Sequence, residues 1–233
     1  MPKPFTKRRP EILAPEAVLS REGGDFRLVK AATIPGVPLL SMRDFDAQNH
    51  CTITGLTSIF SYYRAEGFVA IPVDRQALFE TVREIAREGL RYHPRYGTFP
   101  WAMPSIARDV WAHYGYAGGA TGHFFFTGRP SIVVTLAREI EAGRPGLINF
   151  THNQYRDHSV TFTGYRCYVR ASDLKKCETL ESGRPVEEWL KSYPRMRVFL
   201  QVNNHWTRAA RYVDLEHIGE GKETYFSLCL VHV

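Results

Sequence analysis

The sequence predicts an α+β fold: an N-terminal helical lobe packed on an antiparallel β-sheet. Three observations carry that prediction. Apolar residues recur at spacings of three and four in most segments up to residue 142. Beyond it, short alternating or continuous apolar runs take over, with the period of strands. Helices that precede strands, instead of alternating with them, are the order of an α+β arrangement.

Residues 1–35 are rich in proline and charge and read as an arm, one that occupies a cleft as a self-inhibitor or packs on the back; residues 36–233 form a single domain. The first helix spans 51–66, where Ile53, Leu56, Ile59, Phe60 and Tyr63 make one apolar stripe and Gly67 supplies the stop. The second, 75–90, is strongly periodic, with Arg83, Glu84, Arg87 and Glu88 as its solvated face. Helices at 103–114 and 131–142 follow. Gly118, Gly119 and Gly122 in YAGGATGHFFF neither follow a strand nor open a helix, so they read as loop and not as a phosphate cradle. Strands are expected at 146–151, 159–166, 198–203 and 224–233, with a helix at 184–192 between the second and third.

At 233 residues and 44% hydrophobic content the chain can bury one full core. No stretch approaches the ~20 consecutive apolar residues of a membrane helix. The start, MPKPFTKRRPEILAPEAVLS, lacks the apolar h-region of an export signal, so the expectation is a cytoplasmic protein without a membrane partner. Cys51, Cys167, Cys177 and Cys229 are too scattered for a disulfide framework and read as free thiols. His50, His123, His152 and His205 show no metal-ligand spacing and read as incidental; no cofactor and no metal are expected. The net charge of +6 invites a nucleic-acid partner, but outside Lys7 to Arg9 the basic residues alternate with acidic ones, which argues against it.

The chemistry concentrates on three residues. Cys51 stands in the first turn of its helix, where unpaired N–H groups and the positive dipole end favour a thiolate and can receive an oxyanion. His158 opens the strand-like run HSVTFTGY, and Asn204 follows the run VFLQVN, so both stand where strands emerge from a sheet. A lone cysteine at a helix start is more often a buried structural residue. It is the joint pattern, Cys then His then Asn, that singles out Cys51 as an activated nucleophile.

Across roughly residues 45–206 these motifs resemble the papain-like cysteine peptidases, within them the bacterial branch related to bacteriocin-leader-processing (double-glycine) peptidases. DHSVTFTGY resembles the family's histidine strand, and Asn204, His205 and Trp206 resemble its Asn-x-Trp motif. The resemblance implies a Cys51, His158, Asn204 triad acting on a peptide or protein substrate. It implies that the Asn204 side chain orients the imidazole and that Trp206 shields that hydrogen bond from water. Six residues before the cysteine, where the family usually has its oxyanion-hole glutamine, stands Phe45; Gln48 is the expected donor instead, while Asn49 is expected to cap the helix. The same constellation serves acyl transfer of a transglutaminase-like kind, and a non-catalytic peptide-binding module of the same fold is the other alternative.

Overall fold

The computed structural model describes residues 11–125, 129–150, 155, 157–174, 183–216 and 226–233. In chain order these form α1 (Pro15–Arg21), β1 (Phe26–Thr33), α2 (Cys51–Ala65), α3 (Arg75–Arg87), β2 (Tyr92–His93), β3 (Gly97–Thr98), α4 (Met103–His113), β4 (Gly119–Phe125), α5 (Arg129–Glu141), β5 (Gly146–Phe150), β6 (His158–Arg170), α6 (Val186–Ser192), β7 (Arg197–Asn203), β8 (Ala210–Asp214) and β9 (Phe226–His232). The class is α+β. One antiparallel sheet runs β4-β9-β5-β6-β7-β8, and β1 joins it along β6.

The long strand β6 organises the sheet. Its first half pairs with β5, from Phe150 opposite His158 to Gly146 opposite Phe162, and its second half pairs with β1, from Gly164 opposite Thr33 to Arg170 opposite Phe26. Its other edge carries β7, with a bulge between Phe162 and Gly164. Both faces are covered. Val198, Leu200 and Val202 of β7 belong to the main core, whereas Phe199, with Tyr168 and Tyr212, packs with Leu19 of α1. Successive strand residues point to opposite faces, so α1 lies on the side of the sheet away from the main core.

Helix α2 lies in the main core, between α3 and the sheet strands β5 and β6. Ile53, Leu56, Ile59 and Phe60 are wholly buried; each contributes about 1.5–3 kcal/mol of burial. Phe60 and Tyr63 continue into an aromatic cluster with Trp111 of α4, Phe68 and Tyr116. Gly55 sets how close α2 comes to the sheet: a Cβ there would lie 2.5 Å from Leu147 Cδ2 of β5 and 3.2 Å from Thr161 Oγ1 of β6.

Several sequence expectations need correction. The arm over 1–35 is, from residue 11 onward, part of the fold: Ile12 bridges to Tyr212, Leu19 is buried, and β1 pairs along β6. Only Val29 of β1 is buried, and its apolar and charged residues do not alternate, so the strand carries no period-2 signal. Of the glycines expected in a loop, Gly118 precedes β4, but Gly119 and Gly122 lie in it, paired with β9. Glycine is needed there because a Cβ at 118 would meet the Trp111 ring at 2.5 Å and one at 122 would meet Pro104 at 2.9 Å; α4 packs directly on this strand. Strand β8 is short and was not expected. Cys177 and His152 lie outside the described residues, as does residue 151 at the end of its expected strand. Among the described residues, no helix is long and apolar enough to cross a membrane.

Candidate functional site

Cys51 is the first residue of α2 and is partly exposed. The N-cap is His50, which makes no capping hydrogen bond with its side chain, and the first turn holds no acidic residue. Asn49, the expected cap, is used elsewhere. It takes a left-handed backbone (φ 49°), and its Nδ2 donates to the carbonyls of Pro94 at 2.7 Å and Arg95 at 3.2 Å. The orphan N–H groups of the first turn are thereby left without a side-chain acceptor from their own cap, the condition in which a helix N-terminus binds an anion.

The approach of α2 to β5 and β6 brings Cys51 to His158, the first residue of β6, which is 5% exposed. Burial alone would raise the Cys51 thiol. The charge and hydrogen bond of His158, with the N–H and hydroxyl of Ser159, outweigh it and bring the thiol down to about 7. Ser159 carries no motif or spacing that would single it out from the sequence. Its hydroxyl accepts from Asn149 Nδ2 at 3.0 Å and shares a 2.9 Å hydrogen bond with Thr52 Oγ1, so it ties the first turn of α2 to β5 and β6.

His158 Nε2 lies 2.7 Å from the backbone carbonyl oxygen of Asn204. A carbonyl only accepts, so Nε2 carries a proton, and Nδ1 is the nitrogen left for the thiol. This corrects the expected role of Asn204: the imidazole is held by its main chain, not by its amide. The side chain, fully buried, works on the loop instead. Oδ1 accepts from the N–H groups of Trp206 at 3.0 Å and Thr207 at 3.2 Å, and Nδ2 donates to Glu11 Oε1 at 2.7 Å. Trp206 stacks on the His158 ring, centroids 4.4 Å apart and planes 22° from parallel. The turn after β7 accounts for the placement: Thr161 pairs with Asn203, the last residue of β7, and beyond it the chain turns at the left-handed His205 and sets Trp206 against His158. Tyr155 is buried against the Trp206 ring at 5.4 Å between centroids.

His50 and His205 are structural. Burial, with Arg83 nearby, pushes His50 down to about 4, and its Nδ1 shares a 2.9 Å hydrogen bond with Thr54 Oγ1. Burial, with His158 nearby, pushes His205 down to about 3. Its Nδ1 donates to the Leu40 carbonyl at 3.4 Å, which leaves Nε2 to accept from Thr161 Oγ1 at 3.2 Å; the neutral ring is satisfied at both nitrogens.

Phe45, at the expected glutamine position, stacks on Phe79 with centroids 4.1 Å apart and belongs to the core. Gln48 is exposed, and its carbonyl accepts from the Tyr92 hydroxyl, which fixes the loop before Cys51 against the β2–β3 hairpin. Among the described residues no group of three or more His, Cys, Asp or Glu could hold a metal ion. A cavity of about 610 Å³ between α5 and α6, lined by Val134, Arg138, Glu187 and Leu190, shares no residue with this site. No family model, curated protein or solved structure matches the chain.

Proposed function

We propose that this protein is a cysteine hydrolase of papain-like type that cleaves a peptide or amide bond in a peptide or protein substrate. The observation that carries the reading is the arrangement at Cys51: a partly exposed thiol at a helix N-terminus without a side-chain cap, against an imidazole whose far nitrogen is anchored to a carbonyl and whose face is stacked by Trp206. A structural cysteine needs none of these, whereas each of them favours a thiolate or holds the imidazole beside it.

In this mechanism Cys51 Sγ, as thiolate, attacks the substrate carbonyl carbon, and the carbonyl electron pair moves onto oxygen. The N–H groups of the first turn of α2, with the Gln48 amide as the side-chain candidate, stabilise that oxyanion. His158 Nδ1, holding the proton from the thiol, gives it to the leaving amine as the C–N bond breaks. It then takes a proton from water, which attacks the thioester and restores Cys51. The Nε2–H to Asn204 bond keeps Nδ1 facing the sulfur through both half-reactions.

The test is incubation with a peptide library followed by mass spectrometry, wild type beside Cys51→Ala. Cleavage products that vanish in the variant are expected. Products that persist in Cys51→Ala would end the proposal, and products formed only with an added amine would turn it into acyl transfer.

A further inference from the structure

We infer that Glu11, in the segment preceding α1, is a positioning residue for His158; the inference rests on the catalytic reading of the Cys51 site. The chain of contacts is short and continuous. Arg211 Nε of β8 donates to Glu11 Oε2 at 2.7 Å, and Asn204 Nδ2 donates to Glu11 Oε1 at 2.7 Å. The carboxylate thus stands between an edge strand and the residue whose carbonyl holds His158 Nε2 at 2.7 Å. The segment is fixed where it does this: Tyr212 N–H donates to the Ile12 carbonyl at 2.9 Å, a bridge one residue from both Glu11 and Arg211.

The position of Asn204 makes the contact consequential. Asn204 is fully buried and immediately follows β7; the next residue, His205, takes a left-handed backbone (φ 59°), so the chain turns sharply where it must present both the carbonyl and Trp206 to one imidazole. Asn204 Oδ1 holds the N–H groups of Trp206 and Thr207 only if the amide is correctly rotated, and Glu11 fixes that rotation by accepting from its other end. Removing Glu11 leaves a buried amide N–H without its acceptor and Arg211 without its carboxylate. The turn relaxes, and with it the two contacts that aim Nδ1 at Cys51. The segment that composition marks as an arm thereby completes the site.

A plain tethering role makes a different prediction, and the sheet supplies the control. Glu22, also in the N-terminal segment, ion-pairs with Arg197 and does not touch Asn204. Iodoacetamide labelling of Cys51 against pH in the full chain compares wild type, Glu11→Ala, Glu11→Gln and Glu22→Ala, with thermal unfolding alongside. Glu11→Ala is expected to slow labelling at pH 7 about tenfold and to move the midpoint upward. Glu11→Gln, whose amide oxygen still accepts from Asn204, recovers most of the rate, and Glu22→Ala labels as wild type. Labelling of Glu11→Ala equal to wild type, or an equal loss in Glu22→Ala, overturns the inference. Should Glu11→Ala not fold, Glu11→Met replaces it, keeping the side-chain bulk without an acceptor: a wild-type midpoint there is equally fatal. If wild-type Cys51 itself labels no faster than a free thiol, the catalytic reading is what fails; the Glu11 contact is then read from the His158 Nε2–H proton by NMR, whose protection from exchange must drop in Glu11→Ala for the inference to stand.

Discussion

His158 and Asn204 are joined through the main chain: the imidazole Nε2 donates to the Asn204 carbonyl at 2.7 Å while the Asn204 amide braces the turn that follows. Side-chain replacement at 204 therefore does not delete the His158 partner; it loosens it. Asn204→Ala should lower kcat by about tenfold to a hundredfold, well short of the loss in His158→Ala. Asn204→Asp should be worse than Asn204→Ala, because a second carboxylate would stand 2.7 Å from Glu11 Oε1. Steady-state turnover with unfolding controls ranks the three, and an Asn204→Ala as inert as His158→Ala contradicts the main-chain role.

The thiol is expected to titrate well below the ordinary cysteine value, so alkylation should rise with pH through a midpoint near 7. His158→Ala removes the strongest downward influence and leaves burial, the larger effect and acting upward, against the Ser159 hydrogen bonds; the midpoint should then move to or above the ~8.5 of a free thiol. Rates of iodoacetamide labelling between pH 5 and 10 measure both.

Gln48→Ala should cut kcat by about a hundredfold to a thousandfold, the usual loss for one oxyanion donor, with alkylation of Cys51 nearly unchanged. Asn49→Ala should act differently, through the hairpin: its Nδ2 holds the carbonyls of residues 94 and 95. Normal turnover in Gln48→Ala would leave the oxyanion to the backbone of α2.

Gly55→Ala is expected to cost about 1–3 kcal/mol, the range of an overpacked core, since the added methyl would stand 2.5 Å from Leu147 Cδ2. It should also lower kcat, because moving α2 off β5 and β6 moves Cys51 off His158. Urea unfolding and turnover on the same sample test the pairing of these effects.

Acid should destabilise the fold before any carboxylate titrates fully. His50 and His205 have folded values of about 4 and about 3, below the ordinary 6.5. Above pH 6.5 both rings are neutral folded or unfolded and contribute nothing. As pH falls from 6.5 towards 4, the unfolded chain takes protons that the folded one refuses, and stability drops by about a few kcal/mol. The urea midpoint should fall over that window, and less so in His50→Gln; a flat wild-type profile there would contradict the burial of neutral rings.

Much of the frame was legible because it rests on local pattern. The stripe Ile53, Leu56, Ile59, Phe60, Tyr63 marks α2 with Cys51 at its head, and HSVTFTGY marks the strand that His158 opens. Chain order, the helix-start and strand contexts, and the DHSVTFTGY and Asn-x-Trp motifs link Cys51, His158 and Asn204 in the sequence. Strands β1 and β4 were hidden: one because FRLVKAAT buries only Val29 and lacks apolar alternation, the other by glycines that serve the approach of α4 and not a turn.

What the sequence by itself determined is the approximate place of α2 to α6 and of β5, β6, β7 and β9, and which residue types could react, since apolar periodicity and helix ends are properties of neighbouring residues. Tertiary structure decided which atoms meet. That Asn204 acts through its carbonyl, that Ser159 reaches the thiol, that Asn49 braces a hairpin and that Glu11 stands behind Asn204 all depend on strand register, a bulge in β6 and a left-handed turn at His205. Glu11 and Asn204 are 193 positions apart; only the sheet, by laying the Ile12 segment along β8, brings a carboxylate from the start of the chain to an amide near its end.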